Sequence, residues 1–256
     1  MANSINTNAG AIVALQNLNA TNRSLATTQN RVNTGLNVAT AKDNGAIFAI
    51  ATNQRADMGA LDAVKQSQQR GQSMVDVALA AGDTIVAALT EMKKLAVAME
   101  GGAAGEASYD AYKADYDALQ TEITSALADA KFDGKNLFTE EVEVITNASG
   151  GTYKVGFATA VTVAPATADA AGVDAAIKAF TADLATLGTQ SKSLERQITF
   201  TSKMQDALEV GIGNLVDADL AKESARLTAL QTKQQLGIQA LSIANQSSNV
   251  LLGLFR

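Results

Sequence analysis

The chain contains no cysteine and no histidine. That excludes disulfides, thiolate nucleophiles, imidazole bases and any zinc site with sulfur or imidazole ligands. Ser-His and Cys-His nucleophiles, HExxH sites and zinc-activated water all go with them. The fold needs no redox step to form. Tryptophan is also absent, aromatic residues make up only 4% of the 256 positions, and proline occurs once, at Pro165. Apolar residues still reach 47%, so the interior is made of Ala, Leu, Val and Ile. Such a composition, nearly free of the residue that breaks helices, suits long packed helices better than a sandwich or an α/β enzyme core. The length is enough for one or two domains.

Charge is also unevenly placed. Residues 1–40 carry Arg23 and Arg31 and no acid, for +2. Residues 217–256 have a net charge of +1, and 41–216 hold 14 bases against 23 acids, for −9. Two charge-poor ends therefore flank an acidic, solvated middle, with no clustered basic face of the kind nucleic acids require. The stretch from Ile12 to Leu18 is too short and too rich in amides for a secretory h-region or a membrane span. The expectation is a protein with no nucleic-acid partner, no membrane, no metal and no cofactor.

Periodicity sets the fold class. From Val75 the apolar positions Ala78, Gly82, Ile85, Leu89, Met92, Ala96 and Met99 alternate spacings of three and four, the seam of a packed helix. The run stops at Gly101-Gly102. A second run follows, through Tyr109, Tyr112, Tyr116, Leu119, Ile123, Ala126 and Ala130. The third and longest is Ile177, Phe180, Leu184, Leu187, Ser191, Leu194, Ile198, Thr201, Gln205, Leu208, Ile212 and Leu215, a helix approaching ~60 Å. After a phase break at Asp217-Ala218-Asp219, a new seam begins at Leu220 and passes through Ser224, Leu227, Gln231, Gln234, Ile238, Leu241, Asn245, Ser248 and Leu252. Leu236, Ile243, Val250 and Leu254 form a second stripe on another face of that segment. At the N-terminus the seam is Ala11, Leu15, Leu18, Asn22, Leu25, Gln29, Val32 and Leu36. Amides on a seam lower stability and specify register and partner, so these ends read as poised to pair.

Only residues 139–163 read as strand, with Val142 and Val144 alternating with glutamates and Tyr153, Val155 and Phe157 with Lys154 and Gly156. Asn147 to Gly151 is the turn of a hairpin. The architecture expected is mainly α: an elongated antiparallel helical bundle or coiled coil, formed by paired N- and C-terminal segments, with a small β-hairpin. Residues 1–42 with 217–256 form one discontinuous inner domain, and 43–216 an outer rod-like helical domain.

Several blocks resemble the bacterial flagellin family. They are Ile5-Asn6-Thr7-Asn8 with Leu15-Gln16-Asn17-Leu18-Asn19, then Arg31 to Leu36, Ala41 to Ala46 and Lys131 to Leu137. Asp217 to Glu223, and Ala244-Asn245-Gln246 ahead of Val250-Leu251-Leu252, complete the set in family order. In the third block Asn44 stands where the family usually has a second acid. The resemblance implies a secreted, extracellular subunit of a flagellar filament, exported unfolded through the type III apparatus and polymerising with itself and with sister flagellins. It implies an export chaperone at the C-terminal segment, and a filament cap and hook-associated proteins as further partners. Only about 158–173 is left for a variable outer domain, so the chain resembles a short flagellin.

On that reading the inner core between subunits is Leu15, Leu18, Leu25, Val32, Leu36, Leu220, Leu227, Leu236, Ile238, Leu241, Ile243 and Val250. The outer-domain core is Ile85, Leu89, Met92, Tyr116, Leu119, Ile123, Leu184, Leu187, Leu194, Ile198, Leu208 and Ile212. The family's immune-receptor motif matches Thr90 to Val97, with departures at Glu91 and Lys94, where that motif has an arginine and a glutamate. Two alternatives stand beside the main reading: a hook–filament junction protein with similar ends, and an intracellular coiled-coil scaffold, which leaves the amide-studded ends unexplained. An enzyme is not expected. The carboxylate pairs Glu140/Glu141 and Asp115/Asp117 read as solvated surface. Gly101 to Gly105 follows a helix and lacks the Lys-Ser/Thr of a phosphate loop. The tyrosine stripe runs on into Leu119 and reads as core.

Overall fold

The computed structural model describes residues 8–165 and 167–253, with side chains described through Gln246. Among them are five helices and one two-stranded sheet, in the order α1 (Ala9–Thr34), α2 (Gly45–Glu100), α3 (Ala107–Asp129), β1 (Glu141–Ile145), β2 (Thr152–Gly156), α4 (Ala170–Val216) and α5 (Leu220–Gly253). The chain is mainly α, as the proline-poor, periodic sequence implies. The starts of α1, α2, α4 and α5 are marked by side chains that accept orphan N–H groups, and α3 starts without one. Asn8 Oδ1 accepts from Ala11 N at 3.0 Å, Asn44 Oδ1 from Ala46 and Ile47, Asp169 from Gly172 and Asp219 from Lys222. α1 stops where the Gly35 N–H turns back onto the Arg31 carbonyl.

Contacts group the chain into two compact units, residues 1–56 with 208–256 and residues 57–207. The sequence reading divides it at 42 and 217, in the connections between α1 and α2 and between α4 and α5. α2 and α4 instead run without a break through 56–57 and 207–208, so the contacts change partner inside those helices.

In the unit made of the two chain ends, α1 and α5 are antiparallel. Asn8, Asn22 and Arg31 bond in turn to Ala244, Gln234 and Glu223. Leu36 bridges Asp217 in a single antiparallel pair. Val38, Ala51, Ile212 and Val216 form a small core, with Ile47 and Phe48 against it. Ile212, expected in the outer-domain core, is therefore part of this cluster. Leu208 also belongs to this unit and is only half-buried. Position along one long helix, not a phase break, decides which core each residue joins.

The other unit packs α2, α3, the hairpin and α4 around one apolar cluster. Ile85, Leu89, Met92, Leu187 and Leu194 have no exposed surface, and Tyr116 and Ile123 are almost as deep. Leu119, Leu184 and Ile198 are half-buried at its margin. α2 and α4 run antiparallel here, tied by Gln205 to Asp62, Thr201 to Gln68 and Lys93 to Asp174. They approach closely at Gly82, where an added Cβ would lie 2.2 Å from Leu184 Cδ2.

β1 and β2 pair antiparallel in the register Val142↔Val155 and Val144↔Tyr153. The expected alternation puts Val144 and Val155 in the core. Gln190 fixes the hairpin by exchanging two hydrogen bonds with the Gly156 backbone, at 2.9 and 3.2 Å. Gly156 has φ +96°, and a Cβ there would meet the Glu140 carbonyl at 2.6 Å; only glycine fits. Beside it, Asn136 is buried and satisfied, donating to the Leu127 carbonyl at 2.6 Å and accepting from Phe138 N at 2.9 Å. It so links the open end of α3 to Phe138, whose ring stacks on Phe157 and leans against Phe180.

Candidate assembly surface

The α1–α5 seam differs in phase from the expectation. On α1 the covered positions are Ala11, Ala14, Leu18, Thr21, Leu25, Thr28 and Val32, with Ser24 and Arg31 beside them; Leu15 and Gln29 are exposed, and so is Asn22, which still accepts from Gln234 of α5. On α5 they are Glu223, Leu227, Leu230, Gln234, Gly237, Leu241 and Ala244. Of the expected inner-core residues, Leu18, Leu25, Val32, Leu36, Leu227 and Leu241 lie buried or half-buried within the chain. Leu15, Leu220, Leu236, Ile238 and Ile243 instead stand exposed. The Val250 side chain lies outside the described residues. Ala14, Thr21, Thr28, Glu223, Leu230, Gly237 and Ala244 are the seam residues that the sequence reading did not place. Thr21 shows why small polar residues fit: its hydroxyl donates to the Asn17 carbonyl at 2.9 Å, so the group is satisfied when covered.

The seam holds one ion pair, Arg31 to Glu223 at 3.2 Å, with the glutamate side chain only 10% exposed. Arg31 Nε and Glu223 Oε2 are buried without a partner. The pair therefore fixes where α1 meets α5 more than it stabilises the contact. In the turn after α1, the Thr40 N–H and hydroxyl both donate to Asp43 and hold its carboxyl below the usual range.

Outside the seam a second row follows the same rhythm on α1: Ile12, Leu15, Asn19, Asn22, Ala26, Gln29 and Asn33. Its large apolar members, Ile12 and Leu15, are 47–48% exposed. Val13, Leu236, Ile238 and Ile243 are 55–68% exposed. Because α1 and α5 are antiparallel, all of them gather at the end where residues 12–15 lie across from residues 236–243. Toward the opposite end the exposed surface is amides, threonines and the cations Lys222, Arg226 and Lys233, with Leu220 as a large apolar exception. Large apolar side chains left in water at one end of a helix pair, on more than one of its faces, are surface for something else to cover.

Among the described residues no group of three or more acids is placed to hold a metal. Glu140 and Asp117 each pair with a lysine. The tyrosine stripe divides, Tyr116 going to the core while Tyr112 is 40% exposed. Glu91 and Lys94 are exposed and bond to each other at 2.8 Å. By length and composition α2 could cross a membrane, yet its Ile85, Leu89 and Met92 are covered by the core.

Paired terminal helices with a half-covered apolar surface, in a chain whose other unit is acidic and helical, define a helical assembly subunit. Models of the bacterial flagellin N-terminal and C-terminal helical regions match residues 5–143 and 170–255. Flagellin FljM and flagellin FljK of Caulobacter vibrioides are each 50% identical over 270 aligned residues, covering 99% of both chains. A flagellin of Brucella melitensis is 37% identical, again over 99% of each chain. The crystal structure of Bacillus cereus flagellin aligns with 53% of this chain and 88% of that one, at 22% identity and a TM-score of 0.47. The chain belongs to the bacterial flagellin family.

Proposed function

We infer that this chain is the structural subunit of a bacterial flagellar filament, the extracellular helical polymer used for swimming, and that it is not an enzyme. Family membership over nearly the whole length supports this, and the flagellin relatives, several from one organism, support mixed filaments with sister subunits. The single observation that carries the assembly role is the exposed apolar end of the α1–α5 pair. A free subunit leaves Ile12, Leu15, Leu236, Ile238 and Ile243 in water, and neighbours in a filament cover them. Residues 1–42 and 217–256 form the inner core, and the acidic helical unit stands outside it. Export through the type III apparatus, a chaperone on the C-terminal segment, and contact with the filament cap and hook-associated proteins complete the proposal.

Seeded growth tests it. Purified subunits added to short filament fragments lengthen them, seen by electron microscopy and sedimentation. Subunits that stay soluble beside competent seeds overturn the reading.

A further inference from the structure

On α4, Lys192, Arg196, Phe200 and Lys203 follow one another at spacings of four, four and three. They therefore share one face, opposite the buried Leu187, Leu194 and Thr201. All four are exposed, and Phe200 shows 63% of its surface to water. None of the three cations forms an ion pair among the described residues. An aromatic ring ringed by free cations is out of place on a unit whose residues 57–207 hold 12 bases against 21 acids.

The same unit holds a matching concavity. Between α2 and α3 lies an open groove of about 330 Å³ lined by Glu91, Leu95, Asp115, Ala118, Leu119 and Glu122. Its floor is apolar and half-covered, its rim is three carboxylates, and only Glu91 has a cation, Lys94, beside it. It has room for one aromatic side chain. Patch and groove are complementary in shape and in charge. They are also different surfaces, so pairing them between copies is a head-to-tail contact, which propagates without closing on itself unless the rotation makes a ring.

We propose that the groove of one copy receives Phe200 of a second copy, with Lys192, Arg196 and Lys203 of that copy set against the carboxylates of the rim. The proposal rests on the filament reading and adds a contact in the acidic unit, separate from the apolar end of α1 and α5. Repulsion between strongly acidic units opposes their packing side by side. A local basic patch offsets it and selects one orientation.

Charge reversal with rescue tests the idea, read as the critical concentration for seeded growth of full-length subunits. Arg196→Glu with Lys203→Glu raises it at least tenfold, and so does Asp115→Lys with Glu122→Lys. All four together bring it back to within about threefold of the unchanged protein. The sites are solvent-exposed, and unchanged circular dichroism of the free subunit shows that folding is not the cause. Because the chain has no cysteine, copolymers of Phe200→Cys chains with Ala118→Cys chains give a second reading. A mixed disulfide dimer on oxidation supports the contact; Phe200→Cys chains linking only to one another overturn it. If the unchanged protein grows filaments and both reversed pairs grow equally well, this contact is wrong and the filament reading stands. If the unchanged protein does not grow at all, both fall.

Discussion

Aspartate in place of Ile243 separates folding from assembly. In the free subunit that side chain is 68% exposed, so about two thirds of its burial remains to be gained from neighbours. Covering a whole isoleucine contributes ~1.5–3 kcal/mol, so the assembly share is ~1–2 kcal/mol. A carboxylate in its place stays hydrated in the monomer, where the change in stability is within ~0.5 kcal/mol. On assembly it loses its water without a partner, at a cost of several kcal/mol. Each ~1.4 kcal/mol is a factor of ten, so the critical concentration rises by ~100-fold or more. The measurements are thermal melting of the monomer and the residual soluble protein after seeded growth. The control is Leu241→Asp, which sits half-buried on the seam and weakens α1–α5 pairing in the monomer as well as polymerisation. If Ile243→Asp grows filaments at the ordinary concentration, the exposed apolar end is not a subunit contact.

Mild proteolysis of free subunits should trim residues before about Lys42 and after about Asp217 and leave a soluble core, because the end helices have only each other to pack on; ends as resistant as the middle would refute this. Gly156→Ala should lower the stability of the acidic unit by ~2 kcal/mol or more in urea unfolding, since the new methyl group meets backbone at a positive φ. Lys93, then Lys178, hold the Asp174 carboxyl down at about 2. Its contribution is present above pH ~3.8 and lost as pH falls through about 2, so any Tm difference from Asp174→Asn should appear at pH 5–7 and vanish at the acid end. Glu91 and Lys94 are exposed and bonded to each other, so monomer should stimulate vertebrate flagellin-receptor reporter cells weakly, and a full response would count against the two charge departures.

The sequence alone determined the helical class, because a chain with one proline and unbroken three-four spacings has few other ways to bury Leu, Ile and Val. It also placed the hairpin, where glutamates alternate with valines, and the phase break at Asp217. The stretch from Ala46 to Gln72 of α2 was less legible. Its covered positions there include Ala51, Gln54, Gln68 and Gly71, small or polar residues that dilute the hydrophobic signal. Gln68 is fully buried because Thr201 bonds to it across the seam at 3.2 Å.

What only tertiary structure decided was phase. α1 carries two interleaved rows with the same rhythm, one through Ala14, Thr21 and Thr28 and one through Leu15, Asn22 and Gln29. The second offers one large apolar side chain, Leu15, between its amides, yet the first meets α5, where Leu18 packs beside Gly237 and small side chains let two backbones come close. Periodicity says that a helix has a covered face; only the shape of the partner says which face it is. Ile12 and Leu15 are left outside, and nothing in the chain's own fold, among the described residues, covers them.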